Sequence, residues 1–239
     1  MWRRRLLFGH RGAPATGVPE NSLASFQRAI ADGANALESD VHRTSDGAIV
    51  ISHDAEVQGL LIHASTLAQL QRKDLGGGER VPLLTDVLAR FADVPINIDI
   101  KQPGIAADVV KLLLGLGEAE RVLLASFHVA EILAVRAAGY PGPTGLAKEE
   151  VARLVLMPWP LLKLWPLRGA RAQVPMRSGR VRFDTPRFLE RAHAVGIKVD
   201  YWTINDIEDA RALVALGADG IMSDDPGRVC SAVLSAARS

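Results

Sequence analysis

The sequence predicts an α/β fold, a TIM-type (β/α)8 barrel with a small insertion after the third β-like run. Two observations predict it. Short apolar runs alternate with segments whose apolar residues recur at helical spacing, and this alternation is evenly spaced through the second half of the chain. Such alternation favours parallel strands covered by helices, and the even spacing favours a closed barrel over an open sheet. We expect one domain over residues 1–239, because no linker or change of composition divides the chain.

The first three strand-like runs are RLLFGH, NALESDV and AIVISHD. A helical pattern, ENSLASFQRAIADG, separates the first two, whereas only a short turn containing SDG separates the second and third. That link is too short for a crossover helix, so one of the nine β-like runs is expected to form a hairpin or to lie outside the barrel. Folding about Asp46 and Gly47 would set Asp40 nearly opposite His53.

The remaining elements follow a small insertion at about residues 55–85, which is expected to hold one helix and a glycine-rich loop. The later strand-like runs are PINIDIK, RVLLASF, PTGLA, ARAQVP, KVDYWT and DGIMSDD. The helical patterns among them are GIAADVVKLLLGLG, VAEILAVRAAG, TPRFLERAHAVG and DIEDARALVALG, and a terminal helix starts at about Pro226.

Composition excludes several classes of protein. Lys and Arg total 28 against 27 Asp and Glu, so a net charge of +1 gives no bulk electrostatic case for binding nucleic acid. Cys230 is the only cysteine, which excludes an intrachain disulfide framework and a cysteine-rich zinc site. The basic start MWRRRLLF has too short an apolar part for a secretory signal, and no run approaches the length of a spanning helix. We therefore expect a cytoplasmic protein.

Ionisable residues fall at or near the ends of the first four strand-like runs. They are His10 and Arg11, Glu38 and Asp40, His53 and Asp54, and Asp99 and Lys101. The carboxyl ends of barrel strands share one face, where active sites of such folds form. Glu38 and Asp40 are two residues apart and point to the same side of a strand, so with Asp99 they can present three carboxylates to one hard cation. Mg²⁺ and Ca²⁺ both fit such ligands.

Two histidines and two permanent cations complete this predicted site. His10 and His53 suit a general base and a general acid, because imidazole titrates near neutral pH. Arg11 and Lys101 suit the non-bridging oxygens of a phosphate. Carboxylates, a divalent cation, two histidines and two cations together indicate phosphoryl chemistry.

Motifs along nearly the whole chain carry a family resemblance. HRG with PENSLASFQRAI, then ALESDVHRTSDGAIVISHD, IDIK, SF, VDYWTIND and GADGIMSDDP resemble the glycerophosphodiester phosphodiesterases in order and spacing. The resemblance implies a barrel enzyme that cleaves glycerophosphodiesters to sn-glycerol 3-phosphate and an alcohol with the help of a divalent metal. The nucleophile would be the substrate's own glycerol hydroxyl.

The resemblance also implies a role for each charged residue. It assigns acid–base catalysis to His10 and His53, phosphate contacts to Arg11 and Lys101, and metal ligation to Glu38 and Asp40. Asp99 stands where the family usually has glutamate in E-I-K. Its carboxylate is one methylene shorter, so the metal would shift, bind Asp99 through water, or use a different ligand set.

Three further residues each have two interpretations. Asn21 either caps the helix that begins near Ser22 or supports the site, and Glu20 either orients a catalytic histidine or binds near the metal. We expect both to act from behind the reacting groups. Trp202, at the end of the VDYWT run, is either a wall of the glycerol pocket or a packed core residue.

The apolar segment at residues 153–169, RLVLMPWPLLKLWPLRG, also has two interpretations. Its three prolines forbid one continuous helix, which favours a packed loop on the barrel rim. Alternatively it forms an apolar lip that contacts a membrane interface or an acyl chain, since tryptophan flanked by Arg and Lys suits that boundary.

Two other functions compete with the main prediction. The lip would extend the substrate range to lysophospholipids, as a lysophospholipase D-like or sphingomyelinase D-like hydrolase on the same barrel. A non-catalytic barrel that only binds phosphodiesters is the other alternative. The pair of histidines argues against it, because a binding protein needs no second proton-transfer group. The motifs leave the leaving alcohol and the oligomeric state open.

Overall fold

The computed structural model describes Trp2 and residues 4–234. Its strands are β1 (Leu6–His10), β2 (Ala36–Arg43), β3 (Ile49–Ile51), β4 (Glu56–Val57), β5 (Leu60–Leu61), β6 (Ile96–Ile100), β7 (Val122–Ala125), β8 (Arg171–Val174), β9 (Arg177–Ser178), β10 (Val181–Arg182), β11 (Lys198–Tyr201) and β12 (Gly220–Ser223). Its helices are α1 (Leu23–Ala31), α2 (Leu67–Leu70), α3 (Leu84–Arg90), α4 (Ala106–Leu116), α5 (Val129–Ala137), α6 (Lys148–Leu156), α7 (Trp159–Leu164), α8 (Pro186–Ala194), α9 (Ile207–Leu216) and α10 (Pro226–Leu234).

The main sheet is a ring of parallel strands. Its order is β7-β6-β2-β1-β12-β11-β8, with parallel pairing between neighbours. A two-residue segment joins the ends of this series, because Thr144 pairs with Leu124 of β7 and Gly145 pairs with Arg171 of β8. This segment lies in the run PTGLA and takes the place of an eighth strand. The predicted (β/α)8 barrel is confirmed.

The strand β3 lies outside the ring. It pairs antiparallel with the end of β2, with Val41 opposite Ile51. The backbone N–H of Ser52 donates to the carbonyl of Asp40 at 3.0 Å, so His53 follows directly after the residue opposite Asp40. The hairpin expected from the short SDG link is therefore present, and it brings His53 back along β2 to the level of Asp40.

The barrel strands alternate between two apolar cores. Outward side chains such as Leu7 and Leu37 pack with the helices in the main core. Leu6, Phe8 and Met222 belong to a separate cluster. Because neighbours along a strand point to opposite faces, this second cluster fills the interior of the barrel.

The interior also holds polar side chains. Arg171 and Asp200 form a buried ion pair, with 2.6 Å between Nε and Oδ2. One layer nearer the carboxyl ends of the strands, Gln173 donates to Asn97 at 3.1 Å. Asn97 pairs in register with Glu38 of β2, so polar character continues along the interior to the end where the charged motifs lie.

Between β3 and α3 the chain forms a small lobe with its own core. The hairpin β4–β5, a 3₁₀ turn and α2 contribute Val57, Ile62 and Leu70, which pack on Val50 of β3. This lobe stands beside His53 and walls one side of the barrel end.

The apolar segment at residues 153–169 forms the end of α6, all of α7 and the following loop. Leu154 and Leu162 are buried, whereas Leu156, Leu164 and Trp165 are 78%, 72% and 58% exposed. The side chains of Trp159, Pro160 and Lys163 lie outside the described part of the structure. No helix within the described residues is long and apolar enough to cross a membrane.

Candidate active site

His10, the last residue of β1, is held by a carboxylate from the other end of the chain. Its Nδ1 lies 2.6 Å from Oδ1 of Asp224, which follows β12, and its Nε2 lies 3.9 Å from Oε2 of Glu38. Asn205 fixes Asp224 by donating to Oδ2 at 2.8 Å and by accepting the backbone N–H of Asp224 at 2.8 Å. These contacts orient the imidazole so that Nδ1 faces Asp224 and Nε2 faces Glu38.

The pKa of His10 is raised by this arrangement. Burial lowers the pKa, but the hydrogen bond to Asp224 and the charge of Glu38 raise it by more. The pKa of Asp224 is lowered: burial opposes the shift, and the hydrogen bonds from His10 and Asn205 outweigh burial. His10 and Asp224 therefore form a dyad with a strong local preference for a protonated Nδ1.

Three buried carboxylates lie next to His10. Glu38 and Asp40 project from β2, and Asp99 lies opposite Asp40 in the register of β6. Burial and the charge of Asp40 raise the pKa of Glu38 to about 8. The pKa of Asp99 is also raised, by burial first, although Lys101 opposes the shift. Negative charge at this end of the barrel is thus only partly compensated.

Lys101 and Arg11 supply the compensation that is present. Nζ of Lys101 lies 2.7 Å from Oδ2 of Asp99 and 3.1 Å from Oδ1 of Asp40. Burial lowers the pKa of Lys101, but the two carboxylates raise it by more, so it stays charged. Nε of Arg11 lies 3.4 Å from Oδ2 of Asp40, and its terminal nitrogen lies 3.1 Å from Oε1 of Glu20. Both cations that were predicted to contact phosphate lie at the carboxylates.

The backbone at Arg11 also serves Glu38. Arg11 has φ of 52°, a left-handed conformation that is uncommon for a residue with a side chain. In this conformation its N–H donates to Oε2 of Glu38 at 3.0 Å. Uncommon backbone geometry concentrates at functional sites, and here it satisfies a buried carboxylate.

Asn21 supports Asp40 and does not cap α1, so the capping interpretation was wrong. Ser22 is the N-cap, because its side chain accepts the backbone N–H of Ser25. Asn21, with φ of 54°, donates from Nδ2 to Oδ2 of Asp40 at 3.0 Å and accepts from Ser39 at 2.7 Å. The preceding residue, Glu20, contacts the Arg11 guanidinium and makes no hydrogen bond to a histidine in the described part of the chain.

His53 lies on the outer side of this cluster. Its side chain is one-third exposed, and Nδ1 lies 2.8 Å from Oδ1 of Asp54. It borders a cleft of about 260 Å³ between the loop that precedes α1 and the β4–β5 hairpin. His53 is therefore more accessible to solvent and to a small ligand than His10.

An aromatic pair borders the same end of the barrel. Trp202 and Phe127 pack edge to face with 5.7 Å between ring centroids, and Nζ of Lys101 lies 5.3 Å from the Phe127 ring. Phe127 is 66% exposed. Trp202 thus contacts Phe127, which lies against Lys101 of the charged site. Trp202 also packs on the apolar cluster inside the barrel.

Four of these residues were not singled out from the sequence as site residues. They are Asp224, Asn205, Phe127 and Ser39. The strand-end rule that found His10 applies equally to Asp224, after β12, and to Phe127, after β7. The signal was present in SDDP and SF, but only the structure shows which carboxylate of the adjacent pair reaches His10.

The carboxylate cluster has the chemistry of a site for a hard divalent cation. Within the described residues no three His, Cys, Asp or Glu side chains form a ready metal cage, and Lys101 stands between Asp40 and Asp99. However, Oδ1 of Asp99 is buried without a hydrogen-bond partner among the described residues. Carboxylate oxygens are the ligands that Mg²⁺ and Ca²⁺ prefer, so these residues fit such an ion.

The amino-acid sequence is similar to those of known phosphodiesterases. A family model described as the glycerophosphoryl diester phosphodiesterase family matches residues 10–228. The chain is 30% identical to a probable glycerophosphodiester phosphodiesterase 2 of Mycobacterium tuberculosis, over 92% of this chain and 87% of that protein. It is 27% identical to lysophospholipase D GDPD1 of Rattus norvegicus, over 92% and 83%.

The fold has close relatives among solved structures. A phosphodiesterase of Oleispira antarctica, in complex with the product sn-glycerol-3-phosphate, superposes with a TM-score of 0.78 over 95% of this chain and 96% of that chain. Sequence identity between the two is 24%, so this likeness shows the shared fold.

Replacing Asp224 tests the dyad directly. Because Asp224 raises the pKa of His10, Asp224→Asn is expected to lower that pKa, as measured by NMR titration of the His10 imidazole. The matched control is Asp225→Asn, which removes the neighbouring exposed carboxylate. An unchanged His10 pKa in Asp224→Asn, or an equal fall in the control, would contradict the assignment.

Proposed function

The chain belongs to the glycerophosphoryl diester phosphodiesterase family, and from that premise we propose that it hydrolyses glycerophosphodiesters to sn-glycerol 3-phosphate and an alcohol. As a phosphodiesterase it is an enzyme, so the alternative of a non-catalytic binding barrel is set aside. The observation that carries the proposal is the His10–Asp224 dyad beside three carboxylates and two cations.

We propose that Glu38, Asp40 and Asp99 hold a divalent cation, Mg²⁺ or Ca²⁺. The orphaned Oδ1 of Asp99 and the raised pKa of Glu38 support this, because both report negative charge that the protein leaves incompletely compensated. When bound, the cation would supply positive charge to the phosphate oxygens. Arg11 and Lys101, already at the cluster, would contact the non-bridging oxygens.

The two histidines divide the proton transfers. Since Nδ1 of His10 is committed to Asp224, its Nε2 is the atom available to accept a proton from the glycerol hydroxyl next to the phosphate. The hydroxyl oxygen then bonds to phosphorus, the bond from phosphorus to the alcohol oxygen breaks, and His53 gives its proton to the departing alcohol. A cyclic phosphate results.

Hydrolysis of the cyclic phosphate reverses both roles. His53 takes a proton from water, the hydroxyl bonds to phosphorus, and His10 returns its proton to the glycerol oxygen that leaves. The solvent-accessible position of His53 suits the partner that meets the alcohol and then water. We place the glycerol against Trp202 and Phe127, whose rings border the charged cluster and do not line the cleft beside His53.

Turnover of glycerophosphocholine tests this proposal. We expect release of sn-glycerol 3-phosphate, loss of activity with EDTA and recovery with added Mg²⁺ or Ca²⁺. His10→Ala and His53→Ala each remove a proton-transfer group and should lower kcat/KM by at least about 100-fold. His63→Ala, at an exposed histidine of the 3₁₀ turn, is the matched control. Full activity in His10→Ala would refute the assigned roles.

A second candidate function is action on lysophospholipids at a lipid surface. The exposed apolar side chains of Leu156, Leu164 and Trp165 favour it, because they lie at or directly after the carboxyl ends of α6 and α7. The segment also contains Arg153 and Arg168, whose positive charges suit anionic head groups. The rat relative named lysophospholipase D adds support from outside the chain.

Co-sedimentation with vesicles of phosphatidylcholine and phosphatidylglycerol tests the lipid surface. The unaltered chain is expected to sediment with the vesicles, and the Leu164→Ala, Trp165→Ala double variant should bind several-fold less, because it loses apolar area at the interface. Leu114→Ala, Leu116→Ala on α4 is the control, since these leucines are 46% and 49% exposed. Equal binding by all three proteins, or none by the unaltered chain, would exclude this function.

A further inference from the structure

The proposed reaction assigns no role to the cleft beside His53. The cleft holds about 260 Å³ and is lined by the loop before α1, the residues after β3 and the β4–β5 hairpin. This volume is at the small end for ligand pockets, so it suits a small head group better than an acyl chain. Because His53 lies on its wall, an alcohol that leaves toward His53 enters this cleft.

The cleft wall combines negative charge with apolar surface. Glu20, Asp54 and Glu56 line it together with Val57 and Leu75. A wall of carboxylates and methyl groups matches an alkylammonium group, which carries a positive charge among carbon atoms. A neutral, hydroxyl-rich head group would gain no charge interaction there.

Glu56 is the carboxylate best placed to set the charge of the cleft. Arg11 pairs with Glu20, and His53 lies beside Asp54. In the part of the chain that the structure describes, Glu56 forms no ion pair. Its charge is therefore not neutralised by a basic side chain among those residues and is available to a cation in the cleft that Glu56 lines.

The hairpin holds Glu56 in position. Oε1 of Glu56 accepts the backbone N–H of Gly59 at 3.1 Å across the turn. The turn itself is tied down, because Gln58 donates from Nε2 to the carbonyl of Asp74. Gln58 and Gly59 both have positive φ, 47° and 83°, which gives the tight geometry that brings Glu56 over the cleft.

We propose that this cleft receives the leaving alcohol and that Glu56 selects substrates whose alcohol is an alkylammonium cation. Choline and ethanolamine share that chemistry. The proposal rests on the proposed glycerophosphodiesterase function and adds a specificity residue to it. A carboxylate–cation contact near the surface is worth up to about 1 kcal/mol, which is roughly fivefold in kcat/KM.

Competition between three substrates tests the proposal. We would measure kcat/KM for glycerophosphocholine, glycerophosphoethanolamine and glycerophosphoglycerol at low salt, in the unaltered chain, Glu56→Gln and Glu56→Lys. The ratio of each cationic substrate to glycerophosphoglycerol should fall roughly three- to fivefold in Glu56→Gln and further in Glu56→Lys. Added salt should lower the same ratio in the unaltered chain, because it screens the charge.

The control is Glu190→Gln, which removes an exposed carboxylate from α8 and should leave the ratio unchanged. If all three substrates are hydrolysed and the ratio is the same in every variant, Glu56 does not select the alcohol and the subsite is wrong while the proposed function stands. If the unaltered chain hydrolyses none of the three, the proposed function fails, and the subsite fails with it.

Discussion

Burial of Glu38, Asp40 and Asp99 at one end of the barrel is the constraint on which the rest of the site depends. Removing carboxylates from water is costly unless they are paired or hydrogen-bonded. Neighbouring ion pairs and hydrogen bonds offset part of that cost. Lys101 bridges Asp40 and Asp99, and the backbone N–H of Arg11 reaches Glu38. Compensation remains incomplete, because the pKa of Glu38 stays at about 8.

This incomplete compensation connects stability to function. A pKa raised above the ordinary value of 4.5 means that ionising Glu38 disfavours the folded state as the pH rises toward about 8. A bound divalent cation would remove that penalty and would also attract the phosphodiester anion. His10 lies between Asp224 and Glu38, and these two carboxylates raise the pKa of His10. Stability given up at the barrel end would thus be regained when a cation and a phosphate bind there together.

Most of the barrel and the charged end were predictable from the sequence, because strand-end placement depends on a local pattern. Thr144 and Gly145, which close the ring, were predicted only as part of the longer run PTGLA. A two-residue bridge is too short to have a sequence pattern of its own, and it forms because β7 and β8 lie on either side of it. The helices α3, α6 and α7 were not predicted. The helix α3 has only seven residues, and the prolines at 158, 160 and 166 favoured a loop where α6 ends and α7 forms. Asn21 and Ser22 are both good caps, and only the left-handed backbone of Asn21 decides between them.

The most direct test of this account is thermal unfolding of the unaltered chain and of Glu38→Gln at pH 8.5, with and without Mg²⁺ or Ca²⁺. Without the cation Glu38→Gln should have the higher Tm, because it relieves repulsion; each kcal/mol is worth about 2–4 °C in a chain of this size. Adding the cation should raise Tm in the unaltered chain and much less in the variant. A lower Tm for Glu38→Gln without the cation, together with no cation response in either protein, would contradict the account.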